Sequence, residues 1–297
     1  MATSIPPRLV LQQGGVIGAF VAGATKSLLP RRGAALDRSE IVRHAGAPSV
    51  ELQQAYAAWS RAAAGRYDGT IPIPMIPSQI ALPVISALTA RSPYPLLGVL
   101  NQGIHLRLHR PLPATAALQV RGHLVEAGDD GYRARIHSML TVGTAADPRA
   151  VELDAYAAVV LKRRADGGAS PREEAAWTTV GVWQAAADEG RKFFYLTGDF
   201  NPIHTWAWFA KRTPFRSCIM HGYGAFTQIF ETIRNAGHHV FDIDSKFVRP
   251  LPLPSPPLQV QVTTQPAADG RLGFRLVDTD GVLYQVGTFL PRGAGNA

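Results

Sequence analysis

The chain carries one proline-rich segment twice, and this repeat constrains its fold more than any other feature. RPLPATAALQV runs from Arg110 to Val120, and RPLPLPSPPLQV runs from Arg249 to Val260. Each copy follows an alternating, strand-like run, IHLRLH from Ile104 and SKFV from Ser245. Copies about 140 residues apart predict a duplicated domain, because solenoid repeats recur every ~20–50 residues.

The segments that flank the two copies also correspond. Each copy leads into a further strand and then a glycine turn, at Gly131 in the first half and Gly270 in the second. Each half closes on an apolar strand that contains a tyrosine, Tyr156 or Tyr284. Both halves are therefore expected to form an antiparallel sheet.

One apolar helix precedes the strands of each half, over Ser78–Ala90 and His221–Ala236. Apolar residues recur there at helical spacing. The positions expected in the core are Ile80, Val84, Ala87 and Leu88 in the first helix, and Phe226, Ile229, Phe230 and Ile233 in the second. A sheet wrapped around such a helix is an α+β arrangement.

The segment from Arg163 to Ala175, RRADGGASPREEA, has the composition of a linker, because it is charged, rich in Gly and Pro, and without periodicity. It divides the chain into an N-terminal unit with an extension, residues 1–165, and a C-terminal unit, residues 166–297. With 297 residues and 46% hydrophobic residues, the chain suffices for two modest cores.

Chemistry-bearing residues are concentrated in the second half. LTGDFNPIH from Leu196 to His204 places a carboxylate, an amide and an imidazole within six residues. Pro202 fixes its own φ and restricts Asn201, so the loop is stiff. MHGYGAF from Met220 then opens the second apolar helix. Asp199 and His204 are the types of side chain that acid–base chemistry on a small molecule requires.

Together these motifs resemble the MaoC-like (R)-specific enoyl-CoA hydratases and acyl dehydratases of the hydratase 2 type. The resemblance extends over Trp177 to Pro291; the first half matches in length and layout only, as in the double-hotdog members. It implies a double hotdog fold and reversible syn hydration of trans-2-enoyl thioesters to (R)-3-hydroxyacyl thioesters. It assigns the water to Asp199 and His204 and the thioester oxygen to the N–H of Gly222, with Asn201 orienting the loop or the water. No metal or redox cofactor is implied.

Two departures from the family pattern bear on the site. Thr205 and Trp206 stand where the family often has an acidic residue, which concerns loop packing and channel shape rather than the acid–base pair. The first half has no Asp-x-Asn-x-x-His motif, and Leu82-Pro83 fall where a His-Gly pair is expected. A proline there lacks an N–H donor. The first unit is therefore interpreted as a degenerate copy that scaffolds the fold and shapes a roomy acyl pocket.

Structural readings compete with these functional ones. Asp199 is also a common turn former. His221 is interpreted as packing at the helix start, and Cys218 as a small buried residue rather than a nucleophile. A metal site would need His204, His221, His238 and His239 to converge with Asp199, which their spacing does not favour. An aromatic group expected to wall the acyl channel, or else to pack in the core, comprises Trp206, Trp208 and Phe209.

The net charge of +8 favours an anionic partner. The basic residues are scattered without interleaved aromatics, which argues against nucleic acid. An acyl-CoA or acyl-carrier-protein thioester is the expected substrate. Five cations are candidates for its phosphates without preference: Lys211, Arg212, Arg216, Lys246 and Arg249.

The single cysteine fits a reducing compartment. The segment from Leu9 to Leu29 is too polar for a membrane span and only loosely resembles a signal peptide, so cytoplasmic location is expected. A double hotdog chain can mimic a dimer alone or pair again as a homodimer. The rival functions are a hotdog acyl-CoA thioesterase and a non-catalytic acyl-binding protein.

Overall fold

A computed structural model of the chain describes residues 4–19, 36–94, 99–162 and 175–291. The strands in the first half are β1 Ile41–Gly46, β2 Val99–Leu108, β3 Ala117–Asp129, β4 Arg133–Gly143 and β5 Val151–Val160. Those in the second half are β6 Trp177–Trp183, β7 Val240–Phe247, β8 Leu258–Thr263, β9 Leu272–Asp278 and β10 Leu283–Pro291.

All ten strands form one sheet, in the order β1-β3-β4-β5-β2-β7-β10-β9-β8-β6. Reading outward from the centre, both halves have the same order, with β6 corresponding to β1 and β7 to β2. The neighbouring strands are antiparallel throughout. The duplication predicted from the repeated segment is confirmed, and the arrangement is an α+β double hotdog.

The repeated proline-rich segments occupy equivalent places in the two halves. Pro113 forms an isolated antiparallel bridge with Thr70, ahead of the first central helix. Pro252 forms the same kind of bridge with Ile219, ahead of the second. In the second half, Ile219 lies between the predicted functional loop and the start of the central helix. Each copy of the repeat thus contacts the segment that precedes a central helix.

The helices include α1 Val50–Trp59, α2 Leu82–Thr89, α3 Glu189–Thr197, α4 Pro202–Thr205, α5 Ala207–Ala210 and α6 Gly222–Asn235, with a 3-10 helix over Pro7–Gln13 and a π-helical turn over Ile76–Ile80. The two central helices, α2 and α6, pack against strands of the sheet. All four core positions predicted for α6 are at most 1% exposed. The prediction for this helix is confirmed.

The first central helix is shorter than predicted. The sequence pattern suggested a helix from Ser78, but the α-helix begins at Leu82, after the π-helical turn. Pro77 and Pro83 explain the break, because each removes an N–H donor from the hydrogen-bond ladder. Ala87 is half-buried rather than fully buried, whereas the other three predicted positions are in the core.

The two halves join through strands β2 and β7. His105 donates from Nε2 to Asp242 Oδ1 at 2.8 Å across this seam. Arg107, on the same strand as His105, forms an ion pair with Asp154 of β5 at 2.9 Å. These alternating polar residues of β2 therefore lie at the boundary between the two halves.

Buried polar contacts also join α6 to the first half. The hydroxyl of Tyr56 in α1 lies 2.8 Å from both the Thr227 and the Ser78 hydroxyls. Arg66 donates to Glu231 of α6 at 2.7 Å, and this glutamate is fully buried. The first unit therefore supports the central helix of the second.

The proposed division between residues 165 and 166, and nearly all of the predicted linker, lie outside the described residues. The same is true of residues 20–29 of the N-terminal apolar segment. In the described ranges, none of the helices has the length and apolar character needed to cross a membrane.

Candidate active site

Asp199 lies in the loop that follows α3. It is 5% exposed, and its backbone N–H donates to the Thr197 hydroxyl at 3.3 Å. Burial raises the pKa of its carboxyl from 3.8 to about 7, because the charged form loses its hydration. At neutral pH this carboxyl is therefore divided between its acid and its carboxylate forms.

His204 lies in α4, and the local sequence fixes its direction. Asn201 caps this helix, accepting the Ile203 N–H at 3.3 Å, and Pro202 occupies the first turn. The Nδ1 atom of His204 lies 2.8 Å from the carbonyl oxygen of Ile219. Since a carbonyl only accepts, Nδ1 carries the proton and Nε2 has a free lone pair. Burial lowers the pKa of His204 to about 4, so the ring is neutral at pH 7.

His221 connects these two residues. It is 1% exposed and occupies the N-cap position of α6, without a capping hydrogen bond from its side chain. Its Nε2 lies 3.2 Å from the Asp199 carbonyl oxygen and 4.0 Å from Asp199 Oδ2. Its ring centroid is 3.8 Å from that of His204. The structure therefore brings Asp199 and His204 together around a histidine that the sequence reading treated as packing alone.

Gly222 begins α6, a helix of 14 residues. The first backbone N–H groups of a helix have no partner within it, and the helix dipole makes this end attractive to negative charge. A Cβ on Gly222 would lie 2.5 Å from Phe247 Cδ2, so a larger residue would displace the aromatic ring or the helix start. Gln285 of β10 donates to the Gly222 carbonyl at 2.9 Å and fixes the peptide from the other side.

Gly190 in α3 contacts the backbone of the candidate site, and the sequence motifs do not indicate it. A Cβ at this residue would lie 1.9 Å from the carbonyl oxygen of His204. Only glycine allows α3 and α4 to approach this closely. The position carries no local signal, because its contact partner is 14 residues further along the chain in a separate helix.

Gln13 in the N-terminal extension supports the same helix from its far end. Its side chain is almost fully buried and donates from Nε2 to the Leu196 carbonyl at 3.0 Å. It also accepts from Gln79 Nε2 at 3.1 Å. The last carbonyls of a helix lack helical partners, so this contact completes the end of α3 immediately before Asp199. In residues 4–19 the extension is packed against the body of the protein.

The other predicted candidates are placed elsewhere. Cys218 is 9% exposed, and burial raises the pKa of its thiol, as expected for a core cysteine. His238 and His239 follow α6 at its opposite end from His221. Within the part of the chain that the structure describes, no group of three or more potential ligands converges on a metal position.

Aromatic side chains form an exposed group beside α4 rather than part of the core. Trp206, Trp208 and Phe209 are 42%, 59% and 37% exposed. The first two stack at 6.1 Å, and the Arg212 guanidinium lies 5.4 Å from the Trp208 ring centroid. The alternative of ordinary core packing for these residues is wrong, and a wall of the acyl channel stays a prediction.

The candidate cations are all exposed, and one of them lines a cavity. Lys211, Arg212, Arg216, Lys246 and Arg249 are each on the surface. Lys246 and Phe247 line a cavity of about 560 Å³ at the seam between the halves. The other charged residues in its wall are Arg133, Arg135, Glu126 and Asp244. Phe247 lines this cavity and also lies against Gly222, so it borders both the cavity and the start of α6.

Comparisons with known proteins agree with this fold. Residues 168–251 match the model of the MaoC like domain, and the match includes every residue from Asp199 to Gly222. HtdX from Mycobacterium tuberculosis is 19% identical with a TM-score of 0.69, covering 86% of this chain and all of that one. A MaoC-like dehydratase from Phytophthora capsici is 15% identical with a TM-score of 0.64, covering 88% and 98%.

A further Mycobacterium tuberculosis protein, described as having a double hotdog fold, is 14% identical with a TM-score of 0.51, covering 86% and 96%. No curated protein sequence matches the chain significantly. Residues 168–251 thus match the MaoC like domain, and the fold of the chain is that of a double hotdog, which confirms the resemblance inferred from the sequence motifs.

Proposed function

We propose that the protein is a hydro-lyase that adds water reversibly to trans-2-enoyl thioesters, giving (R)-3-hydroxyacyl thioesters. One observation carries the proposal. A buried carboxyl and a partly buried imidazole, Asp199 and His204, both lie against His221 at the start of α6. The MaoC-like match over this region supports the same chemistry.

The proton positions define a base and an acid. His204 is neutral and has a free Nε2, so it accepts a proton from the attacking water. The water oxygen bonds to the β-carbon, and the π electrons of the double bond move through the α-carbon to the thioester oxygen. Asp199, whose pKa is raised to about 7, then donates its proton to the α-carbon. The proton on His204 returns to Asp199 through solvent, which restores the resting state.

The developing enolate needs stabilisation at the thioester oxygen. The N–H of Gly222 and the positive end of the α6 dipole supply it, in a site where burial strengthens electrostatic interactions. Asn201 acts on the loop, since its side chain caps α4 and thereby sets the direction of His204. These roles require no group other than the chain's own residues.

The seam cavity is the proposed site for the phosphates of a coenzyme A carrier. Arg133 and Arg135 from the first half and Lys246 from the second line it, and Phe247 connects it to Gly222. Because the phosphates carry the charge, Arg133→Gln with Arg135→Gln is expected to raise KM for enoyl-CoA and leave KM for an enoyl N-acetylcysteamine thioester unchanged. Arg121→Gln, at an exposed arginine on β3 outside the cavity, is the matched control.

The test of the function follows the loss of enoyl absorbance with coenzyme A and carrier-protein thioesters of several chain lengths, together with free thiol and product chirality. The proposal predicts loss of the double bond, an (R) product and no thiol release. Thiol release with the double bond intact would identify a thioesterase instead. Binding without either reaction would identify a non-catalytic acyl-binding protein.

A further inference from the structure

His221 makes contacts that exceed those of a packing residue. Its ring lies against His204 at 3.8 Å with a 30° tilt, and against Phe193 at 4.8 Å. Its Nε2 reaches the backbone carbonyl of Asp199. The residue therefore touches three separate segments: α3, the loop that carries Asp199, and α4.

The hydrogen bond fixes the tautomer of His221. The carbonyl oxygen of Asp199 can only accept, so Nε2 carries the proton and Nδ1 does not. Nδ1 is buried and has no partner within the described residues. His221 is consequently a neutral donor toward Asp199. Each ring then has one unprotonated nitrogen, Nδ1 in His221 and Nε2 in His204, and the proposed reaction uses Nε2 of His204.

The stacked rings also restrict where a positive charge can develop. Two imidazolium rings 3.8 Å apart would repel each other in a site with little water. The groups that face His221 are the Asp199 carboxyl, the His204 ring and the Phe193 ring. Of these, the Asp199 and Phe193 groups carry no positive charge in any state, so His204 takes up a proton only while His221 stays neutral.

We propose that His221 is a positioning residue of the acid–base pair: its Nε2–H fixes the backbone that carries Asp199, and its ring holds the ring of His204. This inference rests on the proposed function for its kinetic consequences. Its structural content, two tautomers and one shared contact, stands without it.

Two substitutions separate the two contacts. His221→Gln keeps an N–H donor and loses the ring, whereas His221→Phe keeps the ring and loses the donor. We expect each variant to lower kcat for enoyl-CoA hydration by about 10- to 100-fold, since small errors in the position of reacting groups are costly. KM should change by less than about twofold, because His221 holds the pair and not the substrate.

His238 offers the matched control. It follows the other end of α6 and packs edge-to-face on Phe289 at 5.3 Å, so it is also a histidine in contact with an aromatic ring. His238→Gln and His238→Phe should leave kcat unchanged. The pH limits of kcat should move by at least half a pH unit in His221→Phe and stay in place in the His238 variants.

A second measurement does not depend on catalysis. Nitrogen-15 NMR of the imidazoles should show the Nε2–H tautomer for His221 and the Nδ1–H tautomer for His204, and the titration of His204 should move in His221→Phe. If the wild type hydrates enoyl thioesters but the His221 variants lose activity only in proportion to melting temperature, with unchanged pH limits, the inference is wrong. If the wild type shows no hydration, the proposed function fails, and the NMR result alone decides the role of His221.

Discussion

At the residue scale, the site depends on how burial distributes protons between two groups. Burial raises the pKa of Asp199 to about 7 and lowers that of His204 to about 4, so the usual order of a carboxyl and an imidazole is inverted. An acid and a base are then present together at mildly acidic to neutral pH. The proposed hydration depends on this inverted order of the two pKa values, because one group must donate a proton while the other accepts one.

The inverted order predicts the pH dependence of the reaction. Hydration needs Asp199 protonated and His204 unprotonated, so kcat/KM should be highest between pH 4 and pH 7. It should fall below about pH 4 as His204 gains a proton, and above about pH 7 as Asp199 loses one. A rate profile from pH 3.5 to 9, in a range where the protein stays folded, checks this. Activity that rises steadily up to pH 9 would exclude Asp199 as the acid.

The same burial makes Asp199 reduce stability at high pH. Its pKa is higher in the folded than in the unfolded protein, so its contribution is complete below about pH 3.8 and is lost as pH rises through about 7. Asp199→Asn does not ionise. From pH 5 to pH 8 the free energy of unfolding of the wild type should therefore fall by about 2–3 kcal/mol relative to the variant. Urea unfolding at both pH values measures this, and a constant difference would contradict the burial argument.

The sequence singles out Asp199, His204, Asn201 and Gly222 as candidates because these residues stand close together around a proline and a helix start. It does not indicate the contacts of His221 with Asp199 and His204. Each of that residue's contacts is with a side chain or carbonyl 17 to 28 residues earlier in the chain, and no short-range pattern encodes them. The protonation states of Asp199 and His204 could not be predicted from the sequence either, because they depend on how deeply the fold buries each group.

At the element scale, two short helices, α3 and α4, and the start of the long helix α6 bring the candidate site residues together. The helix α6 was predictable because its apolar residues recur at the helical period and are all buried. The approach of α3 to α4 was not, because it depends on Gly190 having no side chain at one point of contact. The packing of the N-terminal 3-10 helix could not be predicted from the sequence either, because Gln13 hydrogen-bonds to a residue about 180 positions later.

Gly190→Ala tests whether the close packing of α3 on α4 determines the position of His204. The added methyl group would meet the carbonyl oxygen of His204, so α4 must move away from α3. A displacement of about 1 Å at a catalytic group can cost about 100-fold in rate. We expect kcat to fall by that order while the fold persists, as judged by circular dichroism. Gly128→Ala, at a glycine with open space around its Cα, is the control and should be fully active.

At the whole-molecule scale, the first unit completes the second. Strand β7 pairs with β2 along the seam, and the buried pair Arg66–Glu231 and the Tyr56–Thr227 contact hold α6 from the first half. The duplication explains the symmetry of the sheet and was visible in the repeated proline-rich segment. The cross-unit contacts were not visible, because they join residues about 165–171 positions apart.

A chain of residues 166–297 alone should therefore not behave as a monomer. Without β2, the edge of β7 presents unpaired backbone groups, and such edges promote association. Glu231 would also lose its buried partner, which costs about 3–5 kcal/mol when one member of a buried pair is removed. Size-exclusion chromatography should show self-association or insolubility. A stable monomer with the melting temperature of the full chain would show that the first unit is dispensable for folding.

The most direct test of the central claim is the rate of enoyl-CoA hydration by Asp199→Asn and His204→Ala in the full chain. Each variant removes one partner in proton transfer, and such groups contribute about 10²- to 10⁴-fold. We predict a loss of about 1000-fold or more in kcat for each, with folded protein confirmed by circular dichroism and full activity in His238→Gln. A rate within tenfold of the wild type in either folded variant would contradict the account.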